Sequence, residues 1–225
     1  MFSYKLLKSL WLAIDNHFIR WMIRSGASRT LHQIPVSVMD NTFSEDEKAA
    51  FEKVDLALSL IALYAPDKFS SFNKDVSSIY VTADMSHPGS YRRSLKLVRL
   101  RTSYVTDPET THQDVACCLF HEAQHGRLRR WGFGYEEEIR TRIERICMTA
   151  ERNFARKLPG CEELVECLED RLETDWAPYL SNEALWRSEN EAKLQSLKDF
   201  RAPGWIIIIA EWKINRNSMK EISSN

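Results

Sequence analysis

Two histidines four residues apart, with a glutamate directly after the first, carry the strongest chemical signal in the sequence: His121-Glu122-Ala123-Gln124-His125. On a helix, positions i and i+4 lie on one face a turn apart, so both imidazoles project the same way. Their Nε2 atoms can then reach one tetrahedral ion at about 2.0–2.1 Å. Glu122 stands about 100° further round the helix, placed for a water on such an ion rather than for the ion itself. The pattern thus offers two metal ligands with a general base beside them. A catalytic site needs a third protein ligand and an open fourth position. No histidine follows His125, so the third ligand is expected to be a carboxylate on the segment that returns after Trp131-Gly132-Phe133-Gly134.

The elements that must position these groups can be read from the apolar spacing. Thr110 or Thr111 can cap a helix that carries Val115, Leu119, Phe120 and the histidines to about Arg130, where Gly132 and Gly134 break it. Tyr135 through Lys157 repeats Ile139, Ile143, Ile146, Ala150 and Phe154 on one helical face until Pro159-Gly160. A third helix, from about Cys161 to Trp176, is acidic where the 139–157 helix is basic. Opposite signs of that kind describe neighbouring helices with solvated faces, not a nucleic-acid groove. Upstream, Ser44 with Glu47 opens a helix that Pro66 ends. Residues 29–44 read as irregular and Ser86–Ser90 as a turn. Ile79–Ala83 and Leu95–Arg101 read as the strands of a small antiparallel sheet. The expected fold class is α+β and mostly helical, with that sheet preceding the active-site helix and its returning helix.

A His-Glu-x-x-His helix preceded by strands resembles the zincin metallopeptidases, whose active-site helix lies beneath an edge strand that aligns the substrate. The lack of a later histidine excludes the metzincin arrangement. Glu144, nineteen residues beyond His125, has a spacing similar to that of the aminopeptidase-type gluzincins. Their Asn-Glu signature is absent from Arg142-Ile143-Glu144-Arg145, and Arg127 stands where the superfamily usually has an apolar residue. The resemblance covers about residues 95–151. It implies a zinc-dependent hydrolase, a metallopeptidase acting on a peptide or protein substrate. One Zn²⁺ per chain would be held by His121, His125 and Glu144, with a zinc-bound water activated by Glu122. Helical geometry keeps a rival third ligand: Glu136 shares a face with Ile143, Cys147 and Phe154, whereas Glu144 lies with Arg140, Cys147 and Glu151 at its margin. Glu137, Glu138 and Glu151 also stay open. Tyr135, Tyr179, His112 or an arginine could donate to the oxyanion. Cys117 and Cys118 read as packing residues, with thiolate ligation as the alternative.

Composition sets the frame around this site. The chain has 225 residues, 44% of them hydrophobic, and 31 Lys+Arg against 32 Asp+Glu. That is a globular composition with no general field for nucleic acid. Five cysteines, an odd number without paired spacing, point to thiols in a reducing compartment and a cytoplasmic protein. Residues 1–24 place Phe2, Leu6, Leu7, Leu10, Trp11, Ile14, Phe18, Trp21 and Met22 on one helical face. This basic amphipathic segment is too polar to span a bilayer. It can lie on a membrane surface or pack on its own domain or a partner. The expected division is an N-terminal helix over 1–25 and a single zincin-like metal-binding domain over 26–225. The competing reading is a non-catalytic zincin-like binding protein, with residues 1–24 as its membrane- or partner-binding element. Glu122 favours catalysis, since a structural site needs no base.

Overall fold

The computed structural model describes residues 16–17, 19–21, 23–24, 26–39, 44–83, 85–199, 202–205, 207–208 and 210–211. The fold is α+β and mostly helical, as expected, but its sheet is larger and mixed. Five short strands form it: β1 (Ala27–Leu31), β2 (Ile34–Val38), β3 (Ser78–Thr82), β4 (Gly89–Arg92) and β5 (Leu97–Arg101), of which β2 and β3 are rich in β-branched residues. Their order across the sheet is β1-β2-β3-β5-β4.

Two expectations are corrected here. Of residues 29–44, read as irregular, 29–38 belong to an antiparallel hairpin of β1 and β2 in which Ala27 faces Val38 and Leu31 faces Ile34, and 40–43 lie outside the described residues. Its two turn residues, His32 and Gln33, both have positive φ, at 48° and 67°, as a tight hairpin turn requires. The strands read as an antiparallel pair, 79–83 and 95–101, in fact run parallel, Ile79 beside Val98 and Val81 beside Leu100. The cause is β4, hidden in what reads as a turn. It pairs antiparallel with β5, so the chain reverses twice after β3 and β5 returns in β3's direction.

Helix α1 (Ser44–Tyr64) and the short α2 (Pro66–Phe69) and α3 (Phe72–Asp75) connect the parallel pair β2 and β3. After β5 come α4 (Thr102–Thr106), α5 (His112–Arg130), α6 (Glu137–Ala155), α7 (Glu162–Glu173) and α8 (Asn182–Asp199). Alternation along the strands sends Val36, Val38, Ile79, Val81, Val98 and Leu100 into one core with Phe51, Val54, Leu58 and Ile61 of α1 and Val115, Leu119 and Phe120 of α5. The other face carries Tyr80 and Leu97, covered by Ile19 and Ile23. Asn16 accepts from Arg92 and Ser94. The described end of the amphipathic segment therefore packs on its own domain, while residues 1–15 lie outside the described residues. No helix among the described residues is long and apolar enough to cross a membrane.

Candidate metal centre

Helix α5 is fixed at its start by a capping box: the Thr111 hydroxyl accepts from Asp114 N at 3.1 Å, and the Asp114 carboxylate accepts from Thr111 N at 2.8 Å. Its buried side, Val115, Ala116, Leu119 and Phe120, lies in the core. His121 and His125 therefore turn toward α6, which packs against α5. His121 Nε2 and His125 Nε2 are 3.2 Å apart. Glu144 reaches back from α6 with Oε2 3.3 Å from His121 Nε2 and Oε1 3.4 Å from His125 Nε2. Ligands about 2.0–2.1 Å from a tetrahedral ion stand about 3.3–3.4 Å from one another. The two imidazoles stand at such a separation, and the Glu144 carboxylate faces them with one oxygen toward each.

Cys147, one turn beyond Glu144, forms with His121 and His125 a group whose ligand atoms all lie within 4.8 Å of one another. The chain therefore holds a candidate metal-binding cluster on α5 and α6. Two anionic candidates could complete it, and their chemistry separates them. Cys147 is 0% exposed. Burial, with Glu144, Glu122 and Glu151 around it, pushes its thiol far above the ordinary range. Burial would also raise the Glu144 carboxyl, but its hydrogen bonds to His121 and His125 outweigh that and hold it well below the usual range. Glu144 is the ready anion.

Other contacts fix the cluster. His121 Nδ1 donates to Glu151 Oε2 at 2.8 Å, which directs Nε2 toward Glu144 and His125. Burial disfavours the His121 imidazolium, yet the hydrogen bonds to Glu144 and Glu151 prevail and raise its pKa well above the ordinary value. The Tyr135 hydroxyl donates to Glu144 Oε1, and its ring meets His125 edge-on. The Arg140 guanidinium stands over that ring and donates to Leu180 O and to Asn182 Oδ1, tying the segment before α8 to the cluster. Glu122 is 7% exposed. Burial raises its carboxyl pKa, partly offset by His121 and His125.

A cleft of about 580 Å³ opens over these groups. Its floor is α5, one wall is α6, and β4 forms the roof. Gly89 is needed there: a Cβ on it would come within 2.6 Å of Cys118 Sγ and 3.1 Å of Glu122 Oε1. Leu164 and Arg171 of α7, Trp176, Leu180 and Leu185 close the far side.

The remaining candidates fall elsewhere. Glu136, the rival ligand, is an exposed residue at the N-terminus of α6, so it does not share the buried face. Glu137 accepts from Asn182, and Glu138 is exposed. Tyr135 lines the cleft, whereas Tyr179 is exposed and His112 opens α5 off the cleft lining. Cys117 is buried in the core and Cys118 lies under Gly89. Sequence reasoning missed the bond from His121 to Glu151, and it missed Asp75. That residue explains Arg127: the guanidinium is buried beside Asp75 and donates to Ser71 Oγ at 2.9 Å. No family model, curated protein or solved structure matches the chain.

Proposed function

We propose that the chain is a zinc-dependent hydrolase of peptide bonds, a gluzincin-like metallopeptidase in which His121, His125 and Glu144 hold the ion and Glu122 is the general base. The observation that carries this reading is the set of 3.2–3.4 Å separations among His121, His125 and Glu144, with a buried carboxylate on the next position of the same helix. When bound, zinc supplies a Lewis acid that acidifies a water and polarises a carbonyl. Glu122, its carboxyl raised toward the range useful at neutral pH, takes the proton of the attacking water and returns it to the leaving amine. Glu151 keeps the Nδ1 proton of His121 in place, so that Nε2 stays a donor of electrons to the site. Tyr135, whose hydroxyl already points at Glu144, is the donor best placed for a developing oxyanion. Strand β4 is an outer edge of the sheet above the site, where an extended substrate can add main-chain hydrogen bonds.

The test is Glu122→Gln, which keeps the shape of the side chain and removes its basicity. The variant should retain one zinc per chain while turnover of a peptide substrate falls by about 10²–10⁴-fold. Full turnover in the zinc-loaded variant would contradict the assignment of the base. No dependence of any hydrolysis on added zinc would contradict the reading as a whole.

A further inference from the structure

The cleft has a direction. Gly89 and Tyr91 lie on one face of β4 and Arg93 in the turn just past it, and each meets α5 further toward its C-terminus. Gly89 lies over Cys118 and Glu122. The Tyr91 ring approaches Gly126, where a Cβ would come within 3.1 Å of it. Arg93 Nη2 donates to Phe133 O, just past the end of α5, at 2.6 Å. The reacting groups thus stand at Glu122, and the cleft runs on from there to Arg93 and Arg129.

These two arginines differ from their neighbours. Both line the cleft and both are half-buried. Arg93 is held by a neutral carbonyl, and Arg129 lies near the Tyr91 hydroxyl. Among the described residues, neither has a carboxylate within 4.0 Å. Arg127 and Arg130, on either side of Arg129, both pair with Asp75. Within one turn of helix, then, Arg127 and Arg130 share the Asp75 carboxylate, while Arg129, which lines the cleft, has none. A guanidinium partly removed from water binds a carboxylate through parallel N–H donors in preference to a neutral group.

We propose that this end of the cleft binds a carboxylate carried by the substrate, held by Arg93 and Arg129 on the α5 C-terminal side of the cleaved bond. The inference rests on the hydrolase reading for the words substrate and cleaved bond, but the binding it describes can be measured without turnover. Gly89 and Arg93 are separated by at most about 13 Å of chain at about 3.3 Å per extended residue. An arginine side chain can reach back part of that distance, so the carboxylate sits roughly two to four residues along an extended peptide from Glu122.

The experiment uses the full chain carrying Glu122→Gln, loaded with zinc, and calorimetric titration with three short peptides. One is an amidated peptide with Glu residues over those positions, the second has Gln in their place, and the third has no acidic residue but a free C-terminal carboxylate. The carboxylate peptides should bind at least about tenfold more tightly than the Gln peptide, with the gap narrowing as salt is raised. A gain with the Glu peptide identifies a side-chain carboxylate, and a gain confined to the third identifies a chain terminus; either supports the site. Arg93→Gln and Arg129→Gln should each remove most of the gain while zinc content stays that of the parent. Arg93→Lys, which keeps the charge, should retain part of it. Equal or undetectable binding of all three peptides, or a preference that survives both Gln variants, would overturn the proposal. Selective binding without hydrolysis by the parent enzyme would instead overturn the hydrolase reading and leave the carboxylate site standing.

Discussion

Two buried clusters of charge lie along α5, and they are balanced in opposite ways. Near its C-terminal end Asp75, 1% exposed, accepts from Arg130 Nε at 2.7 Å and has Arg127 Nε at 3.6 Å. Its backbone carbonyl accepts from Tyr91. One anion meets two cations, all from residues of the chain. Further back on the same helix, Glu122, Glu144 and Glu151 gather around His121 and His125. Three carboxylates share at most two imidazolium charges there, and metal ligation requires both imidazoles neutral. Burial raises the Glu122 carboxyl, and the hydrogen bonds to Glu144 and Glu151 raise His121 against its own burial. The first cluster is a structural tie that fixes α3 and the roof strand to α5. The second carries more carboxylates than cations, which suits a metal ion and makes it a candidate metal centre rather than another buried ion pair.

The comparison can be broken most forcefully at Asp75. Asp75→Ala leaves Arg127 buried without its partner and should cost about 3–5 kcal/mol in denaturant unfolding. Zinc bound per folded chain should not change, since Asp75 bonds to none of the proposed ligands. Loss of zinc from a variant that is still folded would mean that the two clusters are one unit. Glu151→Gln acts on the other cluster. It keeps an acceptor for His121 Nδ1 but removes the charge, and should weaken zinc affinity about 10–100-fold. An unchanged affinity would show that Glu151 is not the residue that orients His121.

A smaller effect separates the apo and loaded proteins by pH. His121 has its folded pKa raised above the unfolded value near 6.5. Its contribution to apo stability is therefore fully present below about pH 6.5 and is lost as pH rises through the folded pKa. Glu122, also raised, acts in the same direction. The apo protein should lose stability with rising pH, by at most about 1.4 kcal/mol per pH unit for each proton released. Zinc binding needs neutral His121 and is favoured by the same rise. Melting curves from pH 6 to 9 should show the apo Tm falling while the difference between loaded and apo protein grows. An apo Tm that rises across this range would contradict the charge assignment.

How much of this was legible follows from how local each signal is. The i, i+4 histidines and the capping residues of α5 lie within one helix, so helical periodicity finds them. Glu144 sits on the next helix after a short turn, and spacing alone brings it into range. Glu136 competed for the same role because it falls on the buried stripe of α6 on paper; at the first turn of the helix the stripe runs into solvent instead. Cys147 was read as a face residue, and only the packing of α6 on α5 brings it near the histidines. Asp75 carried no signal at all: its partners are Arg127 and Arg130, more than fifty residues away. The sheet suffered in the same way. His32-Gln33 lacks the Asn-Gly pattern that announces a tight turn, and β4 begins inside a Pro-Gly-Ser segment that reads as a loop. With β4 unseen, the direction of β5 relative to β3 could not be inferred.

The claim beneath all of this is that Glu144, not Cys147, completes the site with the two histidines. Zinc per chain after dialysis against a weak chelator tests it directly, in the parent and in Glu144→Ala, Cys147→Ala and Glu136→Ala. The parent, Cys147→Ala and Glu136→Ala should each keep about one zinc per chain, while Glu144→Ala, left with two protein ligands, should keep almost none. Full zinc in Glu144→Ala together with loss in Cys147→Ala would contradict it and make the site a His-His-Cys centre.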